Sequence, residues 1–196
     1  MDGYCERLGP GLLGEPLNAL SNAAFLLAAV YLIVRRPRSL LPFLLGLVGL
    51  CSLAFHTFAT PVTAALDTLS ILVFVLTATV LLTRFGLGVR ATRAWLAVPA
   101  FVAFAVVVTV LLRGALGGYL PALLTLAGFA VVLRDRRLAA AAVIFAVSLT
   151  LRTVDGPFCA TVPVGTHWLW HCLNAVVLTL VALTVDSYAR TRSGGS

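Results

Sequence analysis

Long apolar stretches, separated by short breaks that carry arginine, restrict the fold of this chain more than any other feature. Its mean hydropathy is +1.06, with 61% hydrophobic and 11% charged residues. Those values belong to polytopic membrane proteins, because a soluble domain would spread more charge along the polar faces of its helices. A chain of 196 residues accommodates about seven spans at roughly 20 residues each. The apolar runs place these spans at 16–34, 39–59, 64–83, 94–112, 119–133, 138–154 and 166–188. The expected fold is an all-α membrane protein, a seven-transmembrane helix bundle forming one domain over 1–190, with a flexible tail at 191–196. The fifth and sixth runs are short, which calls for tilt or a locally thin bilayer. Pro42, Pro99 and Pro121 fall near helix starts, where a missing N–H costs little. The acidic N-terminus (Asp2, Glu6) is unlike a cleavable signal, which would begin basic.

The net charge of +7 comes from arginine alone, because the chain has no lysine. A retinal protein of the rhodopsin type needs a Schiff-base lysine, so that class is excluded. Nucleic-acid binding is also disfavoured, because the arginines sit at helix ends, where they set topology. Arg35, Arg36 and Arg38 occupy the first loop, Arg84 to Arg93 the third, and Arg134, Arg136 and Arg137 the fifth. Arg190 and Arg192 follow the last span, whereas the second loop is uncharged, the fourth has only Arg113 and the sixth contains Asp155. The positive-inside rule then puts the N-terminus and the even loops outside and the C-terminus in the cytoplasm. The arginine-rich, lysine-free composition points to a GC-rich bacterial source, hence a multi-pass protein of the inner (cytoplasmic) membrane.

Only three histidines occur, and all lie in apolar segments. Ser52 and His56 are four apart, as are His167 and His171, so each pair shares a helix face. His56 lies five residues before Pro61 and Asp67 six after it, which in an antiparallel hairpin gives them similar depth. His167 and His171 open the last span from the same outer face. All five residues thus fall in one layer, one to two helical turns below the outer surface at ~1.5 Å rise per residue. Ionisable groups in a membrane helix are expensive, and such a layer points to function. Three imidazoles and a water are the usual ligands of a catalytic zinc. Zinc would activate the water, Asp67 could take its proton, and Ser52 could bind the water or the developing oxyanion. With this pattern a transporter is disfavoured, since its polar groups would be spread through the membrane depth.

These motifs resemble the alkaline ceramidase family, part of a superfamily of seven-helix metal hydrolases that also contains the adiponectin and progestin receptors. The resemblance rests on Cys5-Glu6, on Glu15, Asn18, Ser21 and Asn22 at the entry to the first span, and on Cys51, Ser52, His56 and Asp67. Asp155 to Cys159 and the run His167, Trp170, His171 complete it. The resemblance implies a membrane-embedded zinc amidase that cleaves ceramide, or a related N-acyl lipid, to a fatty acid and an amine (for ceramide, a sphingoid base). His56, His167 and His171 would hold zinc, Asp67 would be the general base, and Ser52 would assist. It also implies a calcium site at Glu6 and Glu15, although Leu8 stands where the family has a ligating asparagine. Thr68 likewise replaces an acidic residue after the aspartate. Cys51 and Cys172 read as reduced core residues, while Cys5 and Cys159 lie on the outer side, where thiols oxidise. The family pattern implies that these two form a disulfide. The alternative reading is a receptor or sensor of the adiponectin-receptor type with a chiefly structural zinc. The expected partner is a membrane lipid substrate.

Overall fold

The computed structural model describes residues 3–9, 11–35, 39–113 and 115–194. Asp2, Arg36, Pro37, Arg38 and the last two residues of the tail lie outside the described residues. Among those described, every regular element is a helix. A short α1 (Pro16–Ser21) leads into α2 (Ala23–Arg35), followed by α3 (Leu41–Phe58) and α4 (Pro61–Leu81), which ends in a π-helical turn at Leu82–Gly86. Next come α5 (Ala91–Ala94), α6 (Ala97–Leu111), α7 (Leu120–Leu133), α8 (Arg136–Phe158) and α9 (His167–Ser193).

Six helical segments are long and apolar enough to cross a membrane: Pro16–Arg35, Leu41–Phe58, Pro61–Gly86, Ala91–Leu111, Arg136–Phe158 and His167–Ser193. The chain is thus a multi-pass membrane protein by helix length and composition. The expected fifth span is α7, a shorter apolar helix of 14 residues, or about 21 Å at 1.5 Å per residue. The sixth, expected to be short, is instead a helix of 23 residues. It continues past 154 through Gly156 and Pro157, so that Asp155, expected in the sixth loop, lies in the last turns of the helix. Pro157 has no N–H to give to the carbonyl one turn back, so the helix loses one hydrogen bond as it ends. Beyond position 190, α9 also continues to Ser193, with the Arg190 and Asp186 side chains paired one turn apart.

Consecutive helices pack side by side, α2 on α3, α3 on α4, α4 on α6, α6 on α7, α7 on α8 and α8 on α9. Contacts of α9 with α2 close the ring, and α9 also reaches α3 and α4. The buried core runs through Phe25, Leu32, Leu45, Phe74, Leu149 and Val181. Leucine and valine side chains such as Leu27, Val34, Val110 and Val131 point outward, as an apolar solvent requires. Small residues let helices approach closely where the hydrophobic effect gives little drive: a Cβ at Gly49 would stand 2.8 Å from the Phe25 Cβ across the α2–α3 seam.

One turn decides the position of the site. Ala59 takes the left-handed conformation (φ 52°) that ends α3. Thr60 then caps α4 reciprocally with Thr63, and Pro61 fills its first turn. The reversal is completed within a few residues, so the last turn of α3 faces the first turns of α4.

Candidate metal centre

His56 comes from the last turn of α3, and His167 and His171 from the first two turns of α9. All three are buried at 2% exposure. One ring nitrogen from each can be chosen so that the three atoms lie within 4.8 Å of one another, a grouping that could hold a metal ion. Their ring centroids are 4.7–5.3 Å apart.

Two of the rings are oriented from outside. The His56 Nδ1 meets the Glu15 Oε2 at 2.8 Å, and the His171 Nδ1 meets the Ser21 Oγ at 2.7 Å. A partner at Nδ1 fixes the ring and frees Nε2 as the donor for a metal, the arrangement that carboxylate–histidine pairs give to zinc ligands. The His56 Nε2 is buried without a hydrogen-bond partner among the described residues. An orphaned buried nitrogen of this kind is costly in a finished fold, and coordination satisfies it. His167 is held differently: the Tyr4 ring stacks on it at 3.8 Å between centroids. Burial pushes the Tyr4 phenol up to about 12, with the nearby Arg152 charge partly offsetting it, so the covering group is neutral at physiological pH.

Asp67 projects from α4 into the same layer. The Ser52 hydroxyl sits against its carboxylate, and His56 is within electrostatic reach. The Asp67 Oδ1 is buried and has no hydrogen-bond partner among the described residues. Ser52, His56, Asp67, His167 and His171 are therefore brought together, as their spacing predicts.

The N-terminal segment is tied over this layer. Cys5 and Cys159 form a disulfide with a Cα–Cα distance of 5.1 Å, while Cys51 and Cys172 are free thiols. Asp155 accepts hydrogen bonds from three backbone N–H groups: Cys5 at 3.1 Å, Thr166 at 2.6 Å and His167 at 2.9 Å. It thus caps α9 from the neighbouring helix and sets the start of the histidine-bearing turn. Glu6 caps α1 in the same manner, accepting from Leu17 and Asn18 at 2.7 Å each. Glu15 is engaged by the Arg7 guanidinium, by the Asn18 amide and by His56. The two residues expected to bind calcium thus have other occupations here: Glu6 caps a helix, and Glu15 has an arginine as its cation.

Several of these contributions were not read from the sequence. Tyr4, Arg7, Ser21 and the Glu15–His56 contact depend on a segment folding back onto helices far away in the chain. Arg152 carried a visible signal, a charge inside the apolar run 138–154. Its guanidinium lies over the Tyr119 and Trp170 rings, at 4.9 and 5.6 Å from their centroids.

Below the histidines an apolar cavity opens between the helices. It is lined by Phe25, Val48, Ile71, Phe74, Tyr119, Leu126, Phe129, Phe145, Trp170, Leu178 and Val181, among others. On α4 the lining runs from Ile71 to Leu82 and on α9 from Trp170 to Val181, roughly 16 Å along each helix at 1.5 Å per residue. No protein-family model, curated protein or solved structure matches the chain.

Proposed function

We propose that this protein is an integral-membrane, zinc-dependent amidase that hydrolyses an N-acyl lipid, with ceramide as the reference substrate. The observation that carries the reading is the buried three-histidine cluster, two of its rings oriented by Glu15 and Ser21, beside a carboxylate with an uncommitted oxygen. Imidazole donors with hydrogen-bonded second nitrogens suit zinc. The bound metal would supply Lewis acidity to the carbonyl and lower the pKa of a water molecule. The resemblance to alkaline ceramidases at Ser52, His56, Asp67, His167 and His171 directs the choice of bond.

The chain's own residues then have separate tasks. Asp67 accepts the proton of the attacking water through its Oδ1 and passes it to the departing amine. Ser52, beside that carboxylate, would donate to the oxygen that gains charge. The cavity below Trp170 takes the acyl chain, because it is apolar, lies along the helices and begins at the histidine layer. Seven spans, including α7, with the N-terminus outside, put this layer near the outer face of a bacterial inner membrane. The arginine distribution supports that orientation.

The test is turnover of a labelled N-acyl lipid by detergent-purified protein of measured zinc content. About one zinc per chain and release of free fatty acid are expected, with Asp67→Asn retaining zinc but losing activity by about 100-fold or more. Undiminished turnover by Asp67→Asn or by metal-free protein would refute the mechanism. If removing the metal unfolds the protein and no N-acyl lipid is cleaved, the receptor-like reading with a structural zinc replaces it.

A further inference from the structure

Arg152 is set within the helical layer of the site, over the Tyr119 and Trp170 rings. Hydrogen bonds between α8 and α9 fix its depth. Asp155 meets Thr166 and His167 on one side of it, and Ser148 meets the Trp170 carbonyl and the Asn174 amide on the other. The guanidinium therefore lies at the level of His167–Trp170, one turn nearer the histidine end than Ser148. It is partly buried and within electrostatic reach of Asp67, Tyr4 and Tyr119.

Among the described residues it makes no salt bridge to a carboxylate. The Asp155 oxygens are taken by three backbone N–H groups. Glu15 is held by Arg7 and His56, and Asp67 makes no salt bridge to Arg152. Its contacts are instead the faces of Tyr119 and Trp170, which form an edge-to-face pair with centroids 5.0 Å apart. These rings also line the histidine end of the apolar cavity. A cation spread over aromatic faces keeps its N–H edges for a planar or tetrahedral anion. An ionised side chain at membrane depth that makes no salt bridge among the described residues points to a ligand.

We propose that Arg152 binds an anionic group on the amine side of the scissile amide, so that the substrates are N-acyl amines bearing a carboxylate or phosphate rather than neutral ceramides. This rests on the proposed function, because it takes the cavity as the acyl site and the histidine layer as the site of cleavage. With the acyl chain in the cavity lined by Trp170 and Tyr119, a headgroup at the guanidinium that lies over the same two rings is within electrostatic reach of Asp67.

The experiment is equilibrium binding, by titration calorimetry, to zinc-loaded, detergent-purified protein in the non-hydrolysing Asp67→Asn background (wild type at position 152 unless stated), with three dodecanoyl amides matched in chain length. These are N-dodecanoylglycine, N-dodecanoyl phosphoethanolamine and the neutral N-dodecanoylethanolamine. Wild type should bind at least one anionic amide about 10- to 100-fold more tightly than the neutral one, and the two anionic arms tell carboxylate from phosphate. Arg152→Gln should erase that preference and leave affinity for the neutral amide unchanged, while Arg152→Lys keeps part of it. Equal binding of all three amides by wild type overturns the proposal, as does an equal loss for all three in Arg152→Gln, the mark of a purely structural cation over two rings. Competition by phosphatidylglycerol as strong as that of the anionic amides also overturns it, since the arginine would then serve a bilayer headgroup. An anionic preference, with no cleavage by protein that retains Asp67, keeps the headgroup site and removes the amidase reading, so the two fail separately.

Discussion

A hydroxyl and a carboxylate decide which nitrogen two of the three histidines offer. Ser21 and Glu15 belong to the entry of the first membrane helix, yet they act on rings carried by α9 and α3. Loss of such a partner typically lowers metal affinity by about 10- to 100-fold. Ser21→Ala should do so while leaving thermal stability of the loaded protein nearly unchanged, as read by competition with a chromophoric chelator. Unchanged affinity would mean that the packing of His171 alone orients it. Glu15→Gln should be worse on both counts, because it also breaks the buried Arg7–Glu15 pair, a loss of about 3–5 kcal/mol. Much of the site was legible at this scale. Three histidines, one aspartate and one serine stood out as polar residues in apolar runs. Their spacing about Pro61 and within one helical turn was enough to group them. The orienting partners were not legible, because Glu15 and His56 are 41 residues apart and Ser21 and His171 are 150 apart. Nothing local in either segment signals the other.

Between α8 and α9, Asp155 does the work of a cap from across a gap in sequence. Thr166 precedes α9 but makes no side-chain cap of its own, so the first N–H groups of the helix rely on the neighbouring carboxylate. Asp155→Asn turns one acceptor oxygen into a donor facing an N–H. It should cost about 1.5–3 kcal/mol for a lost charge-assisted bond, and it should weaken metal binding through His167. Paired thermal melts with and without a chelator would show both effects; a loss confined to the metal-free melt would count against Asp155 as a positioning residue. The α2–α3 seam offers a second check. The Cβ of Gly49→Ala would crowd Phe25, so a destabilisation of about 1–3 kcal/mol from overpacking is expected, seen as a lower melting temperature in detergent. Helix existence was readable from hydropathy at every one of these elements. The ends were not: Asp155, Gly156 and Pro157 look like a loop by composition, and only the pull of α9 and the disulfide explains their place in the last turn of α8.

For the whole molecule, the disulfide joins residues 154 apart and holds the segment bearing Tyr4 against His167. Cross-links over loops of this length contribute about 2–5 kcal/mol by restricting the unfolded chain. The double variant Cys5→Ser, Cys159→Ser should therefore melt earlier and release metal to a chelator faster, since Tyr4 is no longer tethered. Equal release rates in the oxidised and variant proteins would show that the cover is held by Glu6, Arg7 and Asp155 alone. The pairing was expected from family resemblance, whereas the ring of helices that brings both cysteines to one end follows from packing across α2 and α9.

That ring also orders events in the life of the chain. Before α9 takes its place, only one imidazole is present, and the carboxylate of Asp155 has no helix to cap. The first and last helical elements must meet before an ion has anywhere to rest. The three-histidine cluster is therefore completed late in biogenesis, and a nascent protein inserted as far as α8 holds one of its three rings.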